Sequence, residues 1–242
     1  MDIVCISGGK DSVAMAFRLQ ELGGDYKFIC TPTKSEMPYM NDHWDYIQNE
    51  LDQELIMLHD PEYPSLISLI DHFQALPNWR MRWCTRVLKI EVMIDYYQQN
   101  EHSTAYVGLR ADEPAREGGV YGDYVEQVYP LREWGWGIKE VYGYLDSRGV
   151  KIPARTDCEC CFYQSTAEWW NLWDEYPEIY NFWENKEIEI GHTFRSENRE
   201  KIWPGNLHSL RKEFEKGRAP RKANKNLNLF GETYQKCRVC SL

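Results

Sequence analysis

The sequence lacks a long apolar run and any excess of positive charge. No stretch of its 242 residues approaches the roughly 20 apolar residues that a membrane-spanning helix needs. Acidic residues outnumber basic ones by 38 to 28, and the resulting net charge of -10 opposes non-specific attraction to nucleic acid and to anionic membranes. The start of the chain shows neither the basic segment nor the apolar core of a signal peptide. We therefore expect a cytoplasmic protein that does not bind membranes.

Internal repeats and low-complexity tracts are also missing. The hydrophobic share is 43%, which supplies a packed core and excludes a disordered chain. The eight cysteines stand in a chain without an export signal, so they favour reduced thiols or metal ligands over a disulfide framework. At this length we expect one substantial domain, with room for a smaller appendix.

Short apolar strands alternate with amphipathic helices through the first part of the chain. The spacing of apolar residues predicts strands at 3–6, 26–30, 55–58 and 104–108, and helices at 13–22, 42–51, 66–73 and 86–97. Strands that alternate with helices in this way predict an α/β fold with a doubly wound, mostly parallel sheet.

The composition changes at about residue 130 to aromatic-rich helical segments at 138–145 and 166–183, followed by a polar, basic stretch at 195–228. We expect residues 1–165 to form the sheet domain and residues 166–242 to form a helical, basic appendix that ends in a C-x-x-C pair. The tryptophans of this second part are expected to pack inside it. The six histidines show no ligand spacing, and we expect them to be surface or ordinary packing residues.

A glycine-rich hexapeptide joins the first predicted strand to the first predicted helix. It is Ser7-Gly8-Gly9-Lys10-Asp11-Ser12. Glycines let the backbone approach a phosphate, while the serines, the lysine and the free amides of the helix start supply donors and charge. The string has neither the Walker spacing nor the dinucleotide G-x-G-x-x-G spacing. It predicts a pyrophosphate-binding loop, and the alternative is an ordinary helix cap made by Ser or Asp.

Two arginines and a glutamate follow the strand predicted at 104–108. The segment contains Gly108, Arg110, Glu113 and Arg116. Guanidinium groups at this spacing suit bidentate contacts to phosphate or sulfate, and the glutamate can orient one of them. A solvated charged loop is the alternative.

Six cysteines are candidate metal ligands because of their spacing: Cys84, Cys158, Cys160, Cys161, Cys237 and Cys240. Close thiols suit iron–sulfur clusters and structural zinc sites alike, and the spacing does not separate the two. Cys5 and Cys30 lie in apolar strands and are expected to be core thiols.

The hexapeptide resembles the S-G-G-x-D-S signature of the PP-loop superfamily, whose members bind ATP or an adenylyl sulfonucleotide. Three further segments, at 83–89, 108–116 and 130–145, resemble in order the PAPS reductase-like branch of that superfamily. This branch contains the phosphoadenylyl-sulfate (PAPS) and adenylyl-sulfate reductases and the related sulfur-transfer proteins of DNA phosphorothioation. The matches extend over residues 1–165.

The resemblance implies an adenine nucleotide as ligand, either ATP or adenylyl sulfate or PAPS, together with Mg²⁺. It implies that the nucleotide contacts Ser7, Gly8, Gly9, Lys10, Asp11, Ser12, Arg86, Gly108, Arg110, Glu113 and Arg116. Among these, Lys10, Asp11 and Arg110 are the expected catalytic residues.

For the cysteines, the resemblance favours a 4Fe-4S cluster, with Zn²⁺ as the alternative. The expected ligands are Cys84, Cys158 and Cys161. One ligand of the family pattern is missing, because Trp83 stands where the cluster-bearing reductases have a further cysteine. Cys160, Cys237 or Cys240 would then supply the fourth thiol.

The last residues do not match the tail motif that carries the nucleophilic cysteine of the reductases. The leading expectation is therefore an ATP-pyrophosphatase-type activation coupled to sulfur transfer, with nucleic acid as one acceptor. The basic run that suits such an acceptor is Arg211, Lys212, Lys216, Arg218, Arg221, Lys222 and Lys225. The alternatives are a reductase that releases sulfite with a thioredoxin-like partner, and a nucleotide-binding subunit without catalysis.

Overall fold

The computed structural model describes residues 1–100, 102–195 and 202–221. Five strands lie in these residues. They are β1 (Asp2–Cys5), β2 (Tyr26–Cys30), β3 (Leu55–Met57), β4 (Ser103–Tyr106) and β5 (Val125–Val128). All neighbouring pairs are parallel, and the strand order is β3-β2-β1-β4-β5. The predicted α/β class with a parallel sheet is confirmed.

Ten α-helices accompany the strands in the described residues. They are α1 (Lys10–Leu22), α2 (Met40–Leu51), α3 (Leu66–Phe73), α4 (Trp83–Thr85), α5 (Val92–Gln99), α6 (Pro130–Glu133), α7 (Ile138–Ser147), α8 (Thr166–Glu175), α9 (Pro177–Ile190) and α10 (Leu207–Glu215). A π-helical segment, Arg86–Glu91, joins α4 to α5. None of the helices in the described part of the chain has the length and apolarity of a membrane span.

The strand order places β1 at the centre, with β2 on one side and β4 on the other. Val4 in β1 is fully buried and pairs in register with Phe28 of β2 and Tyr106 of β4. From β1 the chain adds β2 and β3 on one side of the sheet, and it then returns to add β4 and β5 on the other side. The direction in which strands are added therefore reverses between β1 and β4. Ligands of open α/β sheets bind at such a reversal, beyond the carboxyl ends of the strands. The loops after β1 and β4 meet there.

Two predicted helices are interrupted in the structure. The helix predicted at 86–97 begins instead as the π-helical segment and continues as α5. The helix predicted at 166–183 is two helices, because Pro177 cannot continue α8 and the preceding Tyr176 takes an extended φ of -134°. The polar stretch predicted at 195–228 contains α10, and β5 has no predicted counterpart.

The helices after residue 165 share a hydrophobic cluster with the sheet domain. Trp169, Trp183 and Phe214 belong to the same buried cluster as Phe17 and Phe28. The predicted packing role of the tryptophans at 169 and 183 is confirmed, since both are fully buried. The domain boundary at residue 165 remains a prediction. Cys237 and Cys240 lie outside the described residues.

The loop after β1, together with the first turn of α1, approaches the loop after β4 at Gly108. A Cβ on Gly108 would lie 3.1 Å from the carbonyl carbon of Asp11 and 3.1 Å from the amide nitrogen of Ser12. Its φ does not lie in the left-handed region, so the position needs glycine for space and not for its backbone dihedrals. Backbone atoms cannot rotate away as a side chain can, and a methyl group here would push the two loops apart.

We expect Gly108→Ala to lower the free energy of unfolding by about 1–3 kcal/mol, the usual effect of overpacking a buried contact. The measurement is urea unfolding followed by circular dichroism. Gly143→Ala is the matched control, because a Cβ on Gly143 in α7 meets nothing within 4 Å. That change should stabilise the helix by about 0.5–1 kcal/mol. Equal stability of the two variants would contradict the close approach of the loops.

Candidate functional site

The hexapeptide forms the tight turn between β1 and α1. Gly8 has a φ of +79°, and a Cβ on it would lie 2.8 Å from Met40 Cε. α1 begins at Lys10 with Gly9 as its N-cap, and no side chain caps it. The alternative of a Ser or Asp helix cap is therefore wrong. The positive end of α1 has no side-chain cap. It lies after the carboxyl end of β1, where the strand order reverses.

Hydroxyl groups line one side of this turn. Ser12 Oγ donates to the Gly9 carbonyl at 3.0 Å and accepts from the Ser7 amide at 3.2 Å. Ser7 Oγ lies 3.2 Å from Ser12 Oγ and accepts from the Gly9 amide at 3.4 Å. The two hydroxyls and the amides of Ser7 and Gly9 are thus hydrogen-bonded to one another within the turn, and donors of this kind suit a phosphate.

The opposite side of the turn is held by His43 from α2. Nε2 of His43 donates to the Gly8 carbonyl at 2.8 Å, and the side chain is buried. Burial lowers the pKa of His43, so the ring is neutral and its single N–H is the one on Nε2. From the sequence the histidines are expected to be surface or packing residues, and this contact is not predicted. A histidine on a helix gives no sequence signal of a loop 35 residues earlier.

Two buried charges begin α1. Lys10 and Asp11 are 8% and 5% exposed, and their side chains are 3.4 Å apart at Nζ and Oδ2. The same Oδ2 accepts from Arg110 Nη1 at 2.9 Å. Asp11 Oδ1 is buried and has no hydrogen-bond partner in the described part of the chain. A buried carboxylate oxygen without a donor is costly, and it is available to a cation or to a ligand hydroxyl.

Arg110 crosses from the loop after β4 to the start of α1. Besides Asp11, its guanidinium contacts Asp112 Oδ1 through Nε at 2.8 Å and Glu113 Oε1 through Nη2 at 3.0 Å. Burial opposes its charge, but these neighbouring carboxylates raise the pKa of Arg110 above its ordinary value. The alternative of a solvated charged loop is wrong for Arg110, which is 5% exposed.

Glu113 links the two arginines of this segment. Its Oε2 accepts from Arg116 Nη1 at 2.9 Å, while its Oε1 faces Arg110. Arg132 on α6, which no sequence motif indicates, also binds this segment. It donates to the carbonyl oxygens of Glu113, at 2.9 Å, and of Arg116. These contacts connect the segment to α6 and to Arg110.

Arg86 lies apart from this network. Its side chain is 76% exposed and pairs with Glu91 at 2.7 Å. Neither of these residues contacts the hexapeptide or Arg110 in the described structure. A nucleotide contact by Arg86 remains a prediction.

The cysteine segment lies next to the hexapeptide. Thr156 Oγ1 lies 3.3 Å from the position that a Cβ on Gly9 would take. Two residues further on, Cys158 forms an antiparallel bridge with Glu36, and its Sγ lies 3.1 Å from Thr33 Oγ1. Glu36 in turn accepts from both the amide and the hydroxyl of Thr33, at 2.6 and 2.8 Å. The loop after β2 thereby contacts the thiol segment next to the hexapeptide.

Four of the six candidate thiols lie in the described residues. Burial raises the pKa of Cys84, Cys158, Cys160 and Cys161, to about 12 for Cys161, and Cys84 adds to the shifts of Cys160 and Cys161. Within residues 1–100, 102–195 and 202–221, however, no three Cys, His, Asp or Glu side chains converge as ligands of one metal ion. The donor chemistry suits a thiolate-bound metal, but the arrangement of the described residues does not show one.

Substitution of Arg110 tests whether its three contacts hold this network together. Arg110→Lys keeps the charge but replaces a planar fork with a single ammonium, which cannot reach three carboxylates. We expect it to lower the free energy of unfolding by about 2–4 kcal/mol, as for other broken buried ion pairs. Arg86→Lys is the matched control, and it should change stability by less than about 0.5 kcal/mol. If both variants unfold at the same urea concentration, Arg110 does not hold the two loops together.

Comparison with known proteins identifies the family and the fold. The family described as the phosphoadenosine phosphosulfate reductase domain matches residues 2–154. The crystal structure of phosphoadenylyl-sulfate (PAPS) reductase from Candida auris, a phosphate complex, is similar with a TM-score of 0.51 and 15% sequence identity. The match covers 62% of this chain and 74% of that chain, and at this identity it shows the fold alone. No curated protein sequence matches the chain. Because the family match covers more than half of the sequence, the chain belongs to the phosphoadenosine phosphosulfate reductase domain family.

Proposed function

We propose that this chain is a PP-loop enzyme that activates an acceptor with ATP and couples the activation to sulfur transfer. The observation that carries the proposal is the turn of residues 7–12 at the reversal point of the sheet. It combines an uncapped helix start, two gathered hydroxyls and the buried pair of Lys10 and Asp11. These features suit a polyphosphate and its charge.

In this proposal the turn binds the phosphates of the nucleotide through the amides at the start of α1 and the hydroxyls of Ser7 and Ser12. Lys10 supplies positive charge to the phosphates, and Arg110 keeps Asp11 in place. The unpartnered Oδ1 of Asp11 fits Mg²⁺, which proteins commonly hold through one or two carboxylates and the phosphates of the substrate. Bound there, Mg²⁺ would neutralise charge on the phosphate oxygens.

The proposed reaction has two steps. An acceptor oxygen attacks the α-phosphorus of ATP, the bond to the β-phosphate oxygen breaks, and pyrophosphate leaves. A donor at the oxidation level of sulfide, such as hydrosulfide, then attacks the activated atom of the acceptor; the bond to sulfur forms, the bond to the AMP oxygen breaks, and AMP leaves. Lys10 stabilises the negative charge that develops on the leaving pyrophosphate. The acceptor and the sulfur donor remain to be identified.

A second candidate is a sulfonucleotide reductase, which the family match favours. A thiolate would attack the sulfur of adenylyl sulfate or PAPS and displace the nucleotide, and a thioredoxin-like dithiol would then release sulfite. The same turn would bind the adenylyl phosphates. The cysteines nearest the C-terminus, Cys237 and Cys240, do not stand in the tail motif of the reductases, so we place this candidate second.

The basic run does not favour nucleic acid as the acceptor. Of the predicted basic run, Arg211 pairs with Glu184 at 2.7 Å, while Lys216 and Arg218 pair with Glu213 at 2.7 and 2.8 Å. Their charges are balanced within the chain, as on an ordinary solvated helix. Lys222 and Lys225 lie outside the described residues.

The phosphate turn predicts specific losses of nucleotide affinity. Lys10→Ala and Asp11→Ala should each weaken ATP binding by at least about tenfold, the effect of one lost charge-assisted contact. Isothermal titration calorimetry with Mg²⁺ present measures this, after circular dichroism has shown each variant folded. Lys139→Ala is the matched control, since Lys139 is exposed on α7. Unchanged affinity in folded Lys10→Ala and Asp11→Ala would refute the assignment of the turn.

Product analysis separates the candidate functions. Release of pyrophosphate from ATP supports the activation reaction, whereas release of sulfite from adenylyl sulfate or PAPS with thioredoxin supports the reductase. Nucleotide binding with neither product would identify a non-catalytic subunit. The same Lys10→Ala variant should abolish whichever product appears.

A thiol-bound metal remains part of the proposal, without any step assigned to it. We expect anaerobically purified protein to contain about four iron atoms per chain, the content of one 4Fe-4S cluster. Cys158→Ser should remove them, while Cys5→Ser should not, because Cys5 contacts Tyr97 away from the thiol segment. Iron and zinc analysis of the purified variants decides the matter. Stoichiometric zinc in a colourless protein would identify the alternative, and the absence of both metals would exclude a cluster.

A further inference from the structure

The peptide bond between Gly8 and Gly9 lies between helix α2 and the hydroxyl face of the turn. On the α2 side, His43 Nε2 donates to the Gly8 carbonyl at 2.8 Å. On the other side, the Gly9 amide faces Ser7 Oγ at 3.4 Å. In a trans peptide the carbonyl and the N–H point in opposite directions. The contact with His43 therefore fixes where the Gly9 amide points.

This peptide has an unusual freedom to turn over. Glycine on both sides permits backbone conformations that other residues do not adopt, so a flip of the peptide plane costs little. After a flip, the Gly8 carbonyl oxygen would face the hydroxyl side of the turn, where it would repel a phosphate oxygen. The orientation that suits an anion needs a donor on the α2 side that holds the carbonyl.

The indole N–H of Trp44 also lies near Gly8 and has no hydrogen-bond partner in the described residues, but in the structure the carbonyl is bound by His43. The side chain of His43 is 6% exposed, and Met40 and Trp44 from the same helix pack against Gly8. A carbonyl in such a buried place is costly to leave without a partner. Since the ring is neutral, its one N–H serves the carbonyl and adds no charge beside the anion site.

We propose that His43 is a positioning residue of this site: by holding the Gly8 carbonyl toward α2, it keeps the Gly9 amide directed at the bound phosphate. The role rests on the proposed function of the turn as a phosphate site. His43 acts through the Gly8–Gly9 peptide and touches no reacting atom. It extends the site to a second helix, one that contributes no residue of the sequence signature.

The test compares His43→Phe, which keeps an aromatic ring but has no donor, with His43→Gln, whose Nε2 stands the same number of bonds from Cα as that of His. His72→Phe, an exposed histidine on α3, is the matched control. Two quantities are measured on folded protein. They are the Gly9 amide resonance in the nitrogen–proton spectrum without ligand, and the affinity for ATP by calorimetry.

We expect His43→Phe to shift the Gly9 amide resonance and to weaken ATP binding by about tenfold or more, the loss of one amide contact to a charged group. His43→Gln should restore both quantities nearly to those of the unchanged chain, and His72→Phe should alter neither. A merely structural role would lower thermal stability in His43→Phe and His43→Gln alike, and would leave the affinity of the folded protein unchanged.

The outcomes separate this inference from the proposed function. A Gly9 resonance that is unchanged in His43→Phe overturns the inference, whether or not the protein binds ATP. Wild-type affinity in folded His43→Phe, or failure of His43→Gln to restore affinity, overturns it as well. If the unchanged protein binds neither ATP nor PAPS, the proposed function fails, and the resonance alone decides the role of His43. If the phenylalanine variant does not fold, His43→Leu is the smaller apolar replacement and carries the same expectations.

Discussion

The buried ion pair between Asp11 and Arg110 is the interaction on which the site depends. It joins the first turn of α1 to the loop after β4, and these are the two segments that meet where the sheet reverses its strand order. Gly108 permits the approach, and Asp112 and Glu113 complete the contacts of the guanidinium. A buried charge pair is stable only when its remaining lone pairs and protons are also satisfied. Within the described residues, Oδ1 of Asp11 is buried beside this pair without a hydrogen-bond partner, and it is therefore the feature that points to a ligand.

Segments outside the hexapeptide also contribute contacts to the site. The loop after β2 reaches the thiol segment through Glu36 and Cys158, and Thr156 brings that segment against Gly9. α9 reaches the same segment through Trp183, whose indole nitrogen donates to Glu159 at 2.9 Å. Helix α9, beyond residue 165, thus contacts the thiol segment. Thr156 of the thiol segment thus lies against the turn of residues 7–12.

Much of this arrangement follows from local sequence patterns. The strand–turn–helix around residues 7–12 and the strand at Tyr26–Cys30 are visible because apolar periodicity and glycine placement act over a few residues. The break at Pro177 also has a local signal, the proline itself, which the aromatic periodicity on both sides obscured. β5 was missed because it is a four-residue edge strand with Glu126 and Gln127 at its centre. Such a strand depends on its pairing with β4 and not on its own composition.

The supports of the site could not be predicted in this way. His43 contacts a carbonyl 35 residues away, and Arg132 contacts carbonyl oxygens 16 and 19 residues away. Both partners are backbone atoms, which leave no trace in the side-chain sequence. The most direct test of the account is a crystal structure of the protein with Mg²⁺ and a non-hydrolysable ATP analogue. The account predicts the phosphates against residues 8–12, between the ends of β1 and β4, with the cation on Asp11. A nucleotide bound elsewhere on the chain would contradict it.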